Sequence, residues 1–140
     1  MTFSKTLFTP MTTEPLSDAT AINDSLACVG AFTNAFNRRD LGAMDALLHF
    51  PHVILSAEKL VIWNAPGALP PDFFNDLARE TGWAYTVSLG NRAVLVSPCK
   101  VHLLVEYSRN REDGAVLSTH SNFWIVTYDS GRWGIKERSY

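Results

Sequence analysis

The sequence predicts an α+β fold in which three helices pack on a six-stranded, mainly antiparallel sheet. Apolar residues at helical spacing dominate the first half of the chain, whereas residues 100–109, 117–128 and 132–138 are rich in Val, Ile, Tyr, Phe and Trp. Those three runs are separated by Glu112-Asp113-Gly114 and Asp129-Ser130-Gly131, and both triplets favour tight hairpins because glycine accepts positive φ. A sheet laid on a few helices can enclose a cavity, so the architecture directs attention to its interior.

Each element has its own reason. Ser17 and Asp18 supply an N-cap, and Ile22, Leu26, Val29, Phe32 and Phe36 follow on one helical face. That helix stops at Asn37-Arg38-Arg39. Asp40 caps a second, shorter helix carrying Leu41, Met44, Leu47 and Leu48, and Pro51 ends it by lacking an N–H. Residues 52–57 and 59–63 read as a short strand pair turning around Ala57-Glu58, and residues 64–69 as a Pro/Gly loop. Pro70-Pro71-Asp72 opens a third helix with Phe73, Phe74 and Leu77 on its apolar stripe, and Gly82 stops it. From residue 83 to 96 the pattern is strand, with Gly90-Asn91 read as a bulge rather than a turn. Residues 17–140 are expected to form one domain, and residues 1–16, with their Thr, Ser and Pro, a loosely ordered leader.

Composition narrows the function classes. The 140 residues suit one core that buries roughly two thirds of the unfolded surface. A net charge of −2 leaves no footprint for nucleic acid or an anionic membrane, and no apolar run approaches a membrane span. Arg38-Arg39 and Arg109/Arg111 are the only basic concentrations and read as solvated loop ends. Residues 1–18 lack the apolar block of a secretory signal, and Cys28 and Cys99 have no redox or metal spacing, so a cytoplasmic protein is expected. His49 and His52 bracket Phe50-Pro51, which breaks the helical spacing a zinc site needs. With no phosphate loop, Ser/His/Asp elbow or Cys/His pair, no cofactor is expected.

The order of elements, the run FTNAFNRRD from Phe32 to Asp40, the run LGAMDALL from Leu41 to Leu48, and DSGRWGI from Asp129 to Ile135 together resemble the nuclear transport factor 2-like superfamily. That group includes ketosteroid isomerases, SnoaL-like polyketide cyclases and scytalone dehydratases. The resemblance covers roughly residues 17 to 140. It implies a cystatin-like cone with a curved sheet, an internal pocket and frequent homodimerisation. It also implies where the isomerases' catalytic groups would fall: their helix-borne Tyr at Phe32, their Asp base near Ser56 and their second oxyanion donor at Phe123. None of these side chains can take over those roles, although Glu58 lies just beyond Ser56.

Alternation sorts the last hairpins into two faces. With a two- or four-residue turn at Asp113-Gly114, Glu106 opposes Ser121 and Leu104 opposes Phe123; a matching turn at Ser130-Gly131 sets Phe123 opposite Arg138. A three-residue turn at either corner would flip part of this assignment. One face then holds His102, Leu104, Glu106, Ser121, Phe123, Arg138 and Tyr140. The other holds Val101, Leu103, Val105, Tyr107, Trp124, Val126, Trp133 and Ile135. Hydrophobicity alone would turn the second face to the helices, whereas the resemblance, aligned through Phe123, makes the first face the pocket lining. Both are satisfied if the second face is the outer one and is buried in a homodimer.

On that arrangement Leu104, Glu106, Ser121, Phe123, Arg138 and Tyr140, with Trp63, are expected to line a site for a small apolar or aromatic ligand. Glu106 and His102 are candidate acid/base groups if the protein is an isomerase, cyclase or dehydratase with a relocated base. The plainer reading makes Glu106 and Arg138 a structural ion pair, and His102 a partly buried, hydrogen-bonded strand residue.

Overall fold

Ser17 starts the first helix, its Oγ accepting the N–H of Thr20 at 3.1 Å. The computed structural model describes residues 17–140, and the leader expected over residues 1–16 lies outside them. Helix α1 (Asp18–Asn37) turns Ala21, Cys28, Val29, Phe32 and Ala35 inward. Asp40 Oδ1 accepts the Ala43 N–H and begins α2 (Leu41–Ala46). The second helix is shorter than its apolar stripe suggests, because β1 (Leu48–Leu55) starts directly after Leu47 and contains Pro51. Proline is tolerated there because the β1–β6 ladder is interrupted between Leu48 and Val53, where no N–H is called for. Strand β2 (Leu60–Trp63) returns from a turn in which Ser56 Oγ accepts the N–H groups of Glu58 and Lys59.

Helix α3 (Phe73–Thr81) ends on Gly82 in the left-handed conformation, φ 81°, as the sequence requires. Strand β3 (Tyr85–Ser97) is continuous, and its pairing with β4 (Lys100–Asn110) slips by one residue between Ser88 and Gly90 and again between Ala93 and Leu95. Strands β5 (Val116–Asp129) and β6 (Arg132–Ser139) complete a sheet of order β2-β1-β6-β5-β4-β3, antiparallel except for β1 on β6. Among the described residues no helix is long and apolar enough to cross a membrane.

The inner face is the reverse of the one expected to line the pocket. Val101, Leu103, Val126 and Ile135 are fully buried, and Phe32 of α1 meets Trp124 edge-on at 5.6 Å. The face assigned above to a dimer is therefore the one that α1 covers. His102, Leu104, Glu106, Ser121 and Phe123 point away from the helices, half-exposed or exposed. The β4–β5 register is as expected, Glu106 opposite Ser121 and Leu104 opposite Phe123. Hydrophobicity, rather than the alignment through Phe123, picks the inner side.

Arg138 and Tyr140 change sides together. Near the turn β5 and β6 pair as expected, with Tyr128 opposite Trp133, but a bulge between Ile125 and Val126 shifts the rest. Phe123 now opposes Ser139, and Arg138 opposes Trp124 on the inner face. A single extra residue in β6 thus carries a guanidinium into the core.

Candidate functional site

Arg138 is the centre of the site. It is 6% exposed, and among the described residues no carboxylate lies within ion-pair distance of it. Its Nε–H donates to His52 Nε2 at 3.0 Å and its Nη1 donates to the Tyr140 hydroxyl at 3.1 Å. The guanidinium carbon lies 5.2 Å from the Phe32 ring centroid, 5.3 Å from Trp63, 5.8 Å from Trp124 and 5.9 Å from Tyr140. Aromatic faces compensate part of the lost hydration, but each contributes only about 0.5–2 kcal/mol, and an isolated buried charge is costly.

His52 fixes the orientation of that fork. The imidazole is fully buried, and its Nδ1 lies 3.0 Å from the Ile135 carbonyl. Nδ1 therefore carries the proton, and Nε2 is left as the acceptor that Arg138 needs. Burial, and then the positive charge of Arg138, lower the His52 pKa to about 4, so the ring is neutral under ordinary conditions.

Beside the guanidinium is a cavity of about 40 Å³, lined by Phe32, Thr33, Phe36, Thr86, Tyr107, Arg109, Trp124, Arg138 and Tyr140. Its floor is the buried set Phe32, Tyr107, Trp124 and Arg138, and its rim is the more exposed Thr33, Thr86, Arg109 and Tyr140. Asn37 ties the rim to α1: its Nδ2 donates to the Thr86 carbonyl at 2.8 Å, and its Oδ1 accepts the Thr86 N–H at 2.7 Å. The Tyr107 hydroxyl accepts from Asn122 Nδ2 at 3.0 Å, and burial pushes its pKa up, so it stays protonated and able to donate. A second cavity of about 230 Å³ lies between α1, α2, β1, β2 and the loop before α3, walled by Phe32, Met44, Leu48, Trp63 and Leu69. Among the described residues Asp45 is the one acid lining either of these two cavities, and its Oδ2 accepts the Gly67 N–H.

Of the residues expected to bind a ligand, Trp63, Arg138 and Tyr140 come together, with Trp63 and Tyr140 both against the Arg138 guanidinium. Leu104, Glu106, Ser121 and Phe123 do not, because they lie on the outer face. The candidate acid/base groups Glu106 and His102 are also on the outer side, across the sheet from Arg138 and Tyr140; His102 packs on Phe123 at 5.5 Å. No base from that pair shares a cavity with those donors. Nor do Glu106 and Arg138 form an ion pair.

Of the positions matched to the isomerases, Phe32 floors the cavity while Ser56 caps a turn and Phe123 faces outward. Arg109, read from sequence as a solvated loop end, was signalled by alternation: it shares the face of Val105 and Tyr107. Among the described residues no group of three or more His, Cys, Asp or Glu is placed to hold a metal ion.

No protein-family model and no curated protein sequence matches the chain. Solved structures do. A protein of unknown function with a cystatin-like fold from Nostoc punctiforme superposes with a TM-score of 0.69 at 14% identity, covering 90% of this chain and 92% of that one. The chain has the cystatin-like, nuclear transport factor 2-like fold. A nuclear transport factor 2-like protein of unknown function from Pseudomonas putida KT2440 matches with a TM-score of 0.66 at 12% identity, over 89% of this chain and 87% of that one. A candidate ketosteroid isomerase from Shewanella frigidimarina matches with a TM-score of 0.59 at 11% identity, over 83% and 93%. The cystatin-like α+β fold that the resemblance implied is the observed fold, and at these identities the likeness speaks to the fold alone.

Proposed function

We propose that this protein is a small-molecule-binding domain that takes an apolar or aromatic ligand between α1 and the inner face of the sheet. The observation that supports it is Arg138, a buried guanidinium with no carboxylate partner among the described residues, held in one orientation by a neutral histidine beside a cavity. A purely structural arginine in a core is normally paired, since the unpaired charge costs several kcal/mol. Native-state binding raises stability, so a thermal-shift screen of aromatic acids, amides, steroids and polyketides tests the reading. Failure of every compound to shift the melting temperature, in a protein whose cavity is shown closed by side chains, would sink it.

A homodimer through the outer sheet face fits the same architecture, with the residues exchanged relative to the sequence-based expectation. Leu60, Leu95 and Ile62 there are 64%, 59% and 52% exposed, and Leu55 and Phe123 join them. Light scattering should report twice the chain mass, and a monomer at working concentrations would remove this part of the proposal. The free thiols of Cys28 and Cys99 suit a reducing cytoplasm. An isomerase or dehydratase reading would rest on Asp45 in the larger cavity, and enolisation of a ketone substrate abolished by Asp45→Asn would favour it over binding alone.

A further inference from the structure

We propose that the ligand is an organic carboxylate, bound head-first with its carboxylate against Arg138 and Arg109. The inference rests on the small-molecule reading above and names the chemistry that this cavity selects. Its lining is an inventory of donors. Arg138 has five N–H groups, of which the bonds to His52 and Tyr140 use two; the others have no protein acceptor among the described residues. Arg109 Nε and Trp124 Nε1, both buried, also lack a protein partner. The Tyr107 hydroxyl already accepts from Asn122, so its own proton is what it offers. Thr86 Oγ1 is an acceptor, but Trp83 Nε1 occupies it at 3.0 Å. Among the described residues no Asp or Glu lines this cavity. A neutral amide or alcohol would leave most of these donors unsatisfied, whereas an anion with two oxygens satisfies several at once.

Size and shape select among anions. By the standard of about 10–15 Å³ per water, the roughly 40 Å³ cavity holds about three water molecules, which suits a carboxylate and the first atoms behind it. A carboxylate is planar and matches the guanidinium fork, and its single charge needs less compensation than a phosphate dianion would beside Phe32, Phe36 and Trp124. The apolar remainder of the ligand lies along those rings toward the Thr33–Thr86 rim.

Matched pairs test the assignment in the full-length protein. Benzoate and phenylacetate are titrated against benzamide and phenylacetamide, read by tryptophan fluorescence and by thermal shift. The carboxylates are expected to bind at least about tenfold tighter than the amides, the typical difference for a charge-assisted bond over a neutral one. Arg138→Lys keeps the charge but loses the fork, and should weaken benzoate binding by about tenfold or more. Should that variant fail to fold, Arg109→Gln at the rim is the second test, with an expected several-fold loss. Amides that bind as tightly as the acids would overturn the carboxylate and leave the small-molecule reading standing. Phenyl phosphate binding tighter than benzoate would overturn the choice of anion. Binding of neither series at millimolar concentration, with neutral hydrophobes also silent, would overturn both.

Discussion

Phe123 and Trp124 are consecutive large aromatics in β5, yet one is 37% exposed and the other 4%. The inner face, with Trp124, Val126, Val101 and Leu103, is dry and packed under α1; the outer face mixes Phe123 and Leu104 with Glu106 and Ser121. Residue type does not decide burial here. The position of α1 does, and the strand's two-residue period carries that decision along every strand. Arg138 shows the same rule from the other direction, because one bulge moved it from the mixed face to the dry one.

The largest test of this contrast is a charge on the dry side. Trp124→Glu removes the ring packed on Phe32 and buries a carboxylate, at a cost above the roughly 3–5 kcal/mol of a Trp→Ala change. Insoluble or unfolded protein by circular dichroism is the expected outcome, and a cooperative native-like melt would show that the sides are misassigned.

Acid probes the same face through His52. Its folded-state pKa of about 4 lies below the ordinary 6.5, so the unfolded chain binds a proton that the folded one refuses. Stability is full above about pH 6.5 and falls as pH drops toward 4, by on the order of 3 kcal/mol from this group. Burial lowers the His49 pKa too, which adds in the same direction. Urea titrations at about pH 7 and about pH 4 measure the difference, and a flat profile would contradict the buried neutral ring.

Gly134→Ala is a smaller perturbation. A Cβ there would lie 2.6 Å from His49 Cδ2, and the His49 ring is itself buried, so overpacking of about 1–3 kcal/mol is expected. Calorimetry should show a melting temperature lower by several degrees. Smallest of all is Phe123→Glu, within about 1 kcal/mol of the native stability for an outward-facing site. On the proposed dimer its effect should appear in light scattering, as a shift toward monomer.

Much of this was legible in the chain. Helix caps at Ser17 and Asp40, the glycine stop at Gly82 and the hairpin glycines all act locally, and local signals place elements well. The β4–β5 register matches the expected one because a bulge between Arg109 and Asn110 offsets a turn of odd length, and the inner face followed from hydrophobicity. What misled was the alignment through Phe123, one residue from the Trp124 that faces α1. The bulge in β6 was illegible because no glycine or proline marks Lys136; it is set by how β6 must meet both β5 and β1. Four of the expected site residues were lost with that face. Alternation already set Tyr107 and Arg109 on the inner face, whereas His52 entered the site through long-range packing that no spacing announces.

The parallel pairing of β1 with β6 joins Leu48 to Ile135 and Ile54 to Arg138, residues more than eighty positions apart. Such a ladder cannot nucleate locally, and loop closure of that span comes before any of its hydrogen bonds form. During synthesis α1, α2 and the β1–β2 pair leave the ribosome long before their partner strand exists. Until β6 arrives, the apolar inner sides of His52 and Trp63 have nothing to close against. Arg138 is therefore among the last groups to take its place, and the arrival of the proposed ligand anchor coincides with the closing of the sheet.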